Sequence, residues 1–247
     1  MRTFDKYYIS PAIIALSILL SALVFAGAYK FKFKDKKRVV VTGMASKNFV
    51  SNLIVWQGYY SRESMDLKQA YANLKNDEIA IKAYLKKKGL EDNKMVFSSV
   101  SINKQYNPVY DNNGRLLSNK FTGYSLTQNV KVEANDIDKV EKISREITEL
   151  IQSGIELNSS APSYYYTKMA ELKIDLLAKA SKDAKDRAQS IAENAGSALG
   201  DLKYASMGVF QITGQNSNEN YSYGGAFNTT SKNKTASITL RTEYAVK

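Results

Sequence analysis

The chain has 247 residues, of which 44% are hydrophobic and 24% charged, a composition typical of a folded protein. It contains no cysteine and no histidine, which excludes disulfides, thiol nucleophiles, histidine-containing catalytic triads and the usual zinc sites. Residues 1–38 hold eight Lys and Arg against two Asp, a net charge of +6, and the other 209 residues carry only +5 of the total of +11. The basicity is therefore mostly local, and we expect no nucleic-acid partner.

An apolar run of 21 residues without a charge extends from Ile9 to Tyr29. As a helix rising about 1.5 Å per residue it would be about 31 Å long, enough to cross a bilayer. The basic residues before it and the Ala-Gly-Ala at 26–28 also fit a cleaved signal peptide. We favour an uncleaved transmembrane anchor over 9–29, because lysines follow it directly. Residues 1–8 are then an N-terminal flank, and 30–38 are a basic linker able to contact anionic lipid headgroups.

The next elements alternate strand pairs with a helix. Two strands rich in β-branched and aromatic residues are followed by a helix that Ser64 caps and Gly89 ends, and then by two long strands around a turn. The predicted strands are Val39–Ala45, Asn52–Ser61, Val96–Gln105 and Phe121–Glu133, and the turn is Asp111–Gly114. The pattern predicts a ββαββ unit.

A second α/β part follows. Asn135 is expected to cap a helix that ends before Gly154, and a short strand, Ile155–Asn158, leads to a long Ala-rich helix from Pro162 to about Asn194. Two final strands, near Leu202–Thr213 and Thr235–Val246, enclose a stretch rich in Asn, Ser, Gly and Tyr at 214–233. The predicted class is α+β, with one domain over 39–247.

These features resemble the SIMPL domain family, which includes the YggE-type and Brucella periplasmic immunogen-like proteins. The resemblance rests on VVVTGMAS at 39–46, Gly123-Tyr124, NDIDKV at 135–140, Gly154-Ile155 and the Ala-rich segment 178–202. It implies a two-part α+β fold, an extracytoplasmic location and, in some members, a ring-like or channel-like homo-oligomer. It brings no catalytic residue and no cofactor.

The charge pattern and the family resemblance predict opposite membrane orientations. The excess of Lys and Arg after the apolar run favours a cytoplasmic domain by the positive-inside rule. The resemblance implies the periplasmic side, and we give it the greater weight. We therefore expect a single-pass protein of the inner (cytoplasmic) membrane whose domain is extracytoplasmic.

A search for catalytic and metal motifs yields none that fits its context. Ser101–Lys104 matches S-x-x-K and Lys234–Ala236 is one residue from K-T-G, but the serine lies in a predicted strand and not at a helix start. The acidic turn at 111–114 lacks the closing glutamate of a calcium loop, and Asp136 and Asp138 lie at a helix start, where carboxylates cap. We expect no enzyme, no cofactor and no metal.

The 17 tyrosines suggest recognition instead. Aromatic rings among Asn, Ser and Gly suit adaptable contacts with a neighbouring subunit or a glycan, although a flexible loop with exposed rings is an equal alternative. The candidate interaction residues are Tyr164, Tyr165 and Tyr166 at the start of the long helix, and Tyr221, Tyr223 and Phe227 in the late loop. We expect either a self-assembling domain that supports envelope integrity or stress resistance, or a binding module for glycan, peptidoglycan or an envelope protein.

Overall fold

A computed structural model describes residues 6–32 and 37–247. Its helices are α1 (Lys6–Lys32), α2 (Leu67–Lys87), α3 (Ile137–Glu146) and α4 (Met169–Asn194), with 3-10 turns at Asp92–Lys94 and Ile147–Ser153. Its strands are β1 (Arg38–Val50), β2 (Leu53–Ser64), β3 (Met95–Phe97), β4 (Ser101–Tyr110), β5 (Leu116–Ala134), β6 (Leu157–Ser159), β7 (Ser163–Tyr165), β8 (Leu199–Met207), β9 (Gln211–Gly214) and β10 (Asn233–Val246). The predicted α+β class is confirmed.

The chain forms two compact units. The smaller unit takes residues up to 43 together with 183–206 and 241–247, and the larger takes 44–182 and 207–240. The division falls within β1, α4, β8 and β10, so each of these elements contributes residues to both units.

A six-stranded sheet lies in the larger unit, in the order β3-β5-β2-β6, with β4 also paired to β5 and β7 to β2. β2 and β5 run antiparallel from Ile54 opposite Ala134 to Ser64 opposite Tyr124. The inward residues of this sheet pack with apolar residues of α2 and α3 in one core. Its largest fully buried side chains include Trp56, Tyr60, Leu74, Ile81 and Leu85.

A four-stranded sheet has the order β1-β10-β8, with β9 paired to β10. In the larger unit, Leu176 and Ala180 of α4 pack with Ala236 and Ile238 of β10. In the smaller unit, the core holds Val41, Ala184, Ala188 and Tyr244. Buried residues recur at every fourth position of α4, and most are alanines, so the helix backbone can approach closely to what it covers.

Long-range pairing corrects several predicted boundaries. The predicted strand Val96–Gln105 is two strands, β3 and β4, which pair with different parts of β5. The predicted strand Leu202–Thr213 is likewise divided into β8 and β9 by residues 208–210. The long helix begins at Met169 and not at Pro162, because residues 163–165 pair with β2 as β7.

Candidate functional site

The apolar N-terminal run is helical in the structure. α1 contains both predicted span ends, Ile9 and Tyr29, and its segment Ile13–Lys32 is long and apolar enough to cross a membrane. None of that segment is buried against the rest of the chain. A signal sequence meets the same criteria of length and composition, so the helix is a candidate for either role. Residues 33–36 of the predicted basic linker lie outside the described residues.

The tyrosine triplet, residues 164–166, lies in and directly after strand β7, contrary to its predicted place at the start of a helix. Tyr164 and Tyr165 belong to β7, and the Tyr164 N–H donates to the Thr229 carbonyl at 2.7 Å. Tyr164 packs against the core of the six-stranded sheet, and its burial raises the pKa of its phenol to about 12. Tyr166 packs on Phe49, with ring centroids 4.8 Å apart. All three rings are half-buried, so they serve packing more than recognition.

Segment 214–233, here called the tyrosine loop, is ordered by a buried glutamine. The Gln211 side-chain oxygen accepts from the backbone N–H of Ser222 at 3.2 Å and of Ala226 at 2.6 Å. Its amide nitrogen donates to the Ser222 carbonyl at 2.8 Å. The Gln211 side chain therefore gives the loop backbone at Ser222 and Ala226 hydrogen bonds that a neighbouring strand would otherwise provide. An isolated β-bridge also joins Ile212 of β9 to Phe227 of the loop.

Two charged side chains secure the ends of the tyrosine loop. Glu219 accepts from the Gly214 N–H at 3.0 Å and from the Asn228 side-chain amide. Lys234, only 2% exposed, donates to the Asn228 carbonyl at 2.5 Å and to its side-chain oxygen at 3.1 Å. Burial lowers the pKa of the Lys234 ammonium to about 8, with the nearby Glu219 carboxylate opposing that shift. The loop is thus held by specific hydrogen bonds along its length.

The tyrosine loop borders an open groove of about 350 Å³ in the larger unit. Tyr221 is 66% exposed and Tyr223 fully exposed, and the Ser237 hydroxyl donates to the Tyr221 phenol oxygen at 3.2 Å, which fixes that ring. The groove is lined by Met44, Val209, Gln211, Tyr221, Ser222, Tyr223, Ser237, Ile238 and Thr239. No charged side chain is in this lining, so the groove suits a neutral partner, either an apolar protein surface or a glycan.

Of the six predicted aromatic residues, the structure places three at β7, residues 164–166, and three in the tyrosine loop. It brings Tyr221 and Tyr223 together at the groove, whereas Phe227, 58% exposed, lies on the loop outside the groove lining. Sequence reasoning missed Met44, Gln211 and Lys234. A polar residue inside an apolar strand pattern is the only local signal for Gln211, and nothing local shows which groups it will bind.

The motifs considered for catalysis have structural roles. Ser101–Lys104 lies in an exposed strand of the six-stranded sheet, whereas Lys234 lies in the other sheet and is bonded to Asn228. An Asp111 side-chain oxygen accepts from the N–H of Asn113 and of Arg115, each at 2.8 Å, as expected of a turn. Asp136 caps α3 by accepting from the Lys139 N–H at 3.1 Å. Within the described residues, no group of three or more Asp and Glu is placed to hold a metal ion.

Two buried polar clusters near α2 are also fully paired. Arg62 contacts both carboxylate oxygens of the buried Asp77, at 2.6 and 2.9 Å, and donates to the Gly154 carbonyl at 2.7 Å. Tyr60 donates to Gln128 at 2.7 Å, and Gln128 donates in turn to the Ser98 carbonyl at 2.9 Å. Satisfied networks of this kind fix a core in one arrangement.

Comparison with known proteins places the chain in a family. A comparison with curated proteins finds no significant match. The model of the SIMPL family, described as a protein of unknown function (DUF541), matches residues 39–244. That match begins at the second residue of β1 and ends two residues before the end of β10, so it covers part or all of every element from β1 to β10 and leaves out α1. The chain therefore belongs to the SIMPL family.

Proposed function

We propose that this protein is a membrane-anchored, non-enzymatic assembly protein of the bacterial envelope. In this proposal α1 is an uncleaved single-pass anchor in the inner membrane and the SIMPL domain lies on the extracytoplasmic side. There it binds further copies of itself and supports envelope integrity or stress resistance. The bacterial setting and the compartment are carried over from the family resemblance.

The observation that carries the assembly part is the exposed surface at the groove. Tyr221 and Tyr223 are more than half exposed on the tyrosine loop, which Gln211 and Lys234 hold in place, and Met44 of β1 beside them is also more than half exposed. A contiguous apolar and aromatic surface on an ordered segment costs little conformational entropy on binding and is typical of protein interfaces.

Native mass spectrometry of the full chain in detergent tests this assembly. We expect a mass above that of one copy, and a shift towards the monomer in the double variant Tyr221→Ser/Tyr223→Ser. The control is Tyr71→Ser, which removes an exposed tyrosine from α2. A strict monomer at high protein concentration would overturn the assembly part, and an unchanged mass in the double variant would remove the groove from it.

A second candidate function is a binding module for peptidoglycan, another glycan or an envelope protein. It is favoured by the neutral lining, in which tyrosine rings that can stack on sugars lie beside the hydroxyls of Ser222, Ser237 and Thr239. Co-sedimentation of the full chain with purified peptidoglycan tests it. Loss of binding in Tyr223→Ser with the oligomer mass unchanged would favour the module over assembly.

The proposed orientation has a direct test of its own. Protease added to spheroplasts should degrade the domain while leaving α1 with the membrane. Degradation only in inverted vesicles would place the domain in the cytoplasm, as the positive-inside rule indicates.

A further inference from the structure

The β4–β5 hairpin extends as an arm, defined here as residues 101–121. All ten residues of β4 are exposed, as are residues 116–120 of β5. Among the described strands β4 pairs only with β5, from Ser101 opposite Thr127 to Tyr110 opposite Leu116. A two-stranded ribbon is marginally stable in water unless one of its faces packs on something.

The two faces of the arm differ sharply. Ile102 lies opposite Leu126, which is buried in the core, so the face that carries Ile102 continues the core side of the sheet. Because side chains alternate along a strand, Tyr106 and Tyr110 lie on this same face. Opposite them are Phe121 and Leu116, and the Tyr106 and Phe121 rings meet edge to face with centroids 5.6 Å apart.

The other face of the arm is polar. It carries Asn103, Gln105 and Asn107 with one apolar side chain, Val109, and Lys120 lies opposite Asn107. On the apolar face, by contrast, Ile102, Tyr106, Tyr110 and Leu116 are each more than half exposed. This is the alternation of a half-buried strand, yet the apolar half is uncovered.

The edge of β4 is poorly suited to pairing with another strand. Pro108 has no N–H to donate, and the ladder shifts register after Gln105 and again after Val109. These features are typical of edges protected against strand addition. The apolar face, and not the edge, is therefore the surface of the arm open to a partner.

The charges of the arm indicate which kind of partner would bind its apolar face. Residues 101–120 carry Lys104, Arg115 and Lys120 against Asp111 alone, a net charge of +2. Lys104 lies on the apolar face itself, opposite Tyr124. If two arms packed face to face, this cation would be buried against the apolar face of the other copy, whereas an anionic lipid surface would attract it.

We propose that the apolar face of the arm lies in the interfacial layer of an anionic lipid bilayer. Tyrosine rings and long basic side chains are favoured at that depth, where the ring is buried and the polar end reaches water. The unpaired backbone groups along β4 keep the arm from entering the hydrocarbon core, so it lies along the surface. This inference rests on the anchoring proposed above, because an anchor would hold the domain at a high local concentration next to the bilayer.

The absence of cysteine makes a direct test simple, since any single cysteine can be labelled alone. The full chain carrying Leu116→Cys or Asn107→Cys, each labelled with an environment-sensitive fluorophore, is reconstituted into phosphatidylcholine–phosphatidylglycerol vesicles. These positions sample the apolar and the polar face of the arm. Flotation reports anchoring, nitroxide-labelled lipids report contact with the bilayer, and fluorescence of the single, buried Trp56 reports folding.

We expect the chain to float and the probe at 116 to be quenched by nitroxide lipids several-fold more than the probe at 107. The quenching should fall in Lys104→Gln/Arg115→Gln/Lys120→Gln and in vesicles of phosphatidylcholine alone. Equal quenching at the two positions in a chain that floats would overturn the arm contact and leave the anchor intact. The probe at 116 could instead escape quenching by lipid and transfer energy to a second labelled copy. That result would overturn the lipid contact of the arm and show that another copy of the protein covers its apolar face. Failure to float would overturn the anchoring and the arm contact together.

Discussion

Replacing Gln211 tests whether one buried amide holds the tyrosine loop in place. Gln211→Leu keeps a side chain of similar size and removes all three hydrogen bonds to Ser222 and Ala226. At about 0.5–1.5 kcal/mol for each bond, we expect the free energy of opening the loop to fall by about 3 kcal/mol. Gln211→Glu keeps the two acceptor bonds but buries a carboxylate whose second oxygen faces the Ser222 carbonyl, so it should open the loop as well.

Amide hydrogen exchange measures this opening directly. A loss of about 3 kcal/mol corresponds to roughly 100-fold faster exchange at Ser222 and Ala226, since each 1.4 kcal/mol is a factor of ten. The urea midpoint followed by Trp56 fluorescence should move much less, because the core around Trp56 does not include the loop. Gln215→Leu, at an exposed position of the same loop, is the matched control.

Two results would refute this reasoning. Exchange at Ser222 and Ala226 that is unchanged in Gln211→Leu would mean that other contacts hold the loop. An equal loss in Gln215→Leu would mean that any change in the loop opens it. If Gln211→Leu opens the loop, the proposed groove should lose function too, so oligomer mass and peptidoglycan binding should fall with the same variant.

Three further predictions concern stability. The folded-state pKa of Lys234, about 8, lies below the value of about 10.4 for an exposed lysine, so stability should rise by an amount on the order of 1–3 kcal/mol between pH 8 and pH 10.4. Urea unfolding across that range should show a flatter profile in Lys234→Met than in the parent chain, and parallel profiles would contradict the assignment. Ala180→Leu should cost about 1–3 kcal/mol by overpacking the core it shares with Ala236 and Ile238, whereas Ala178→Leu on the exposed side of α4 should be nearly neutral in the same assay. Gly123→Ala should lower the melting temperature more than Gly114→Ala: both glycines have positive φ, but a Cβ at 123 would lie 2.8 Å from the Ser64 carbonyl oxygen and one at 114 meets nothing within 4 Å.

Local patterns were enough to predict much of this fold. The turn at 111–114 and the helix α3 depend on residues close together in the sequence, and the structure has both, although Asp136 and not the expected Asn135 caps the helix. The predicted strands beside the turn, 96–105 and 121–133, stop five residues short of the observed ends at 110 and 116. The Ala-rich helix was also predictable, because its buried positions recur at helical spacing. Its start was not, because Pro162 and Ser163 resemble a helix start while the pairing of Tyr164 with Ile54 makes this segment a strand.

The candidate site could be predicted only in part, because it too depends on contacts that local sequence patterns do not show. The composition of 214–233 indicated a recognition loop, and Tyr221 and Tyr223 do lie together at the groove. Its order, however, depends on Gln211 and Lys234, whose partners lie between 6 and 15 residues away along a chain without regular structure. No period or spacing marks such contacts, because each one exists only after the loop has closed.

The arm is the most informative disagreement between the sequence pattern and the structure. In β4, Ile102, Tyr106 and Tyr110 alternate with Asn103, Gln105 and Asn107, the pattern by which a strand with one buried face is normally recognised. The structure contains the strand but leaves its apolar face in solvent. An apolar strand face has a cost when it is uncovered, since exposed apolar strands promote aggregation. A surface outside the folded chain that covers this face would remove that cost, and the net positive charge of the arm favours an anionic one.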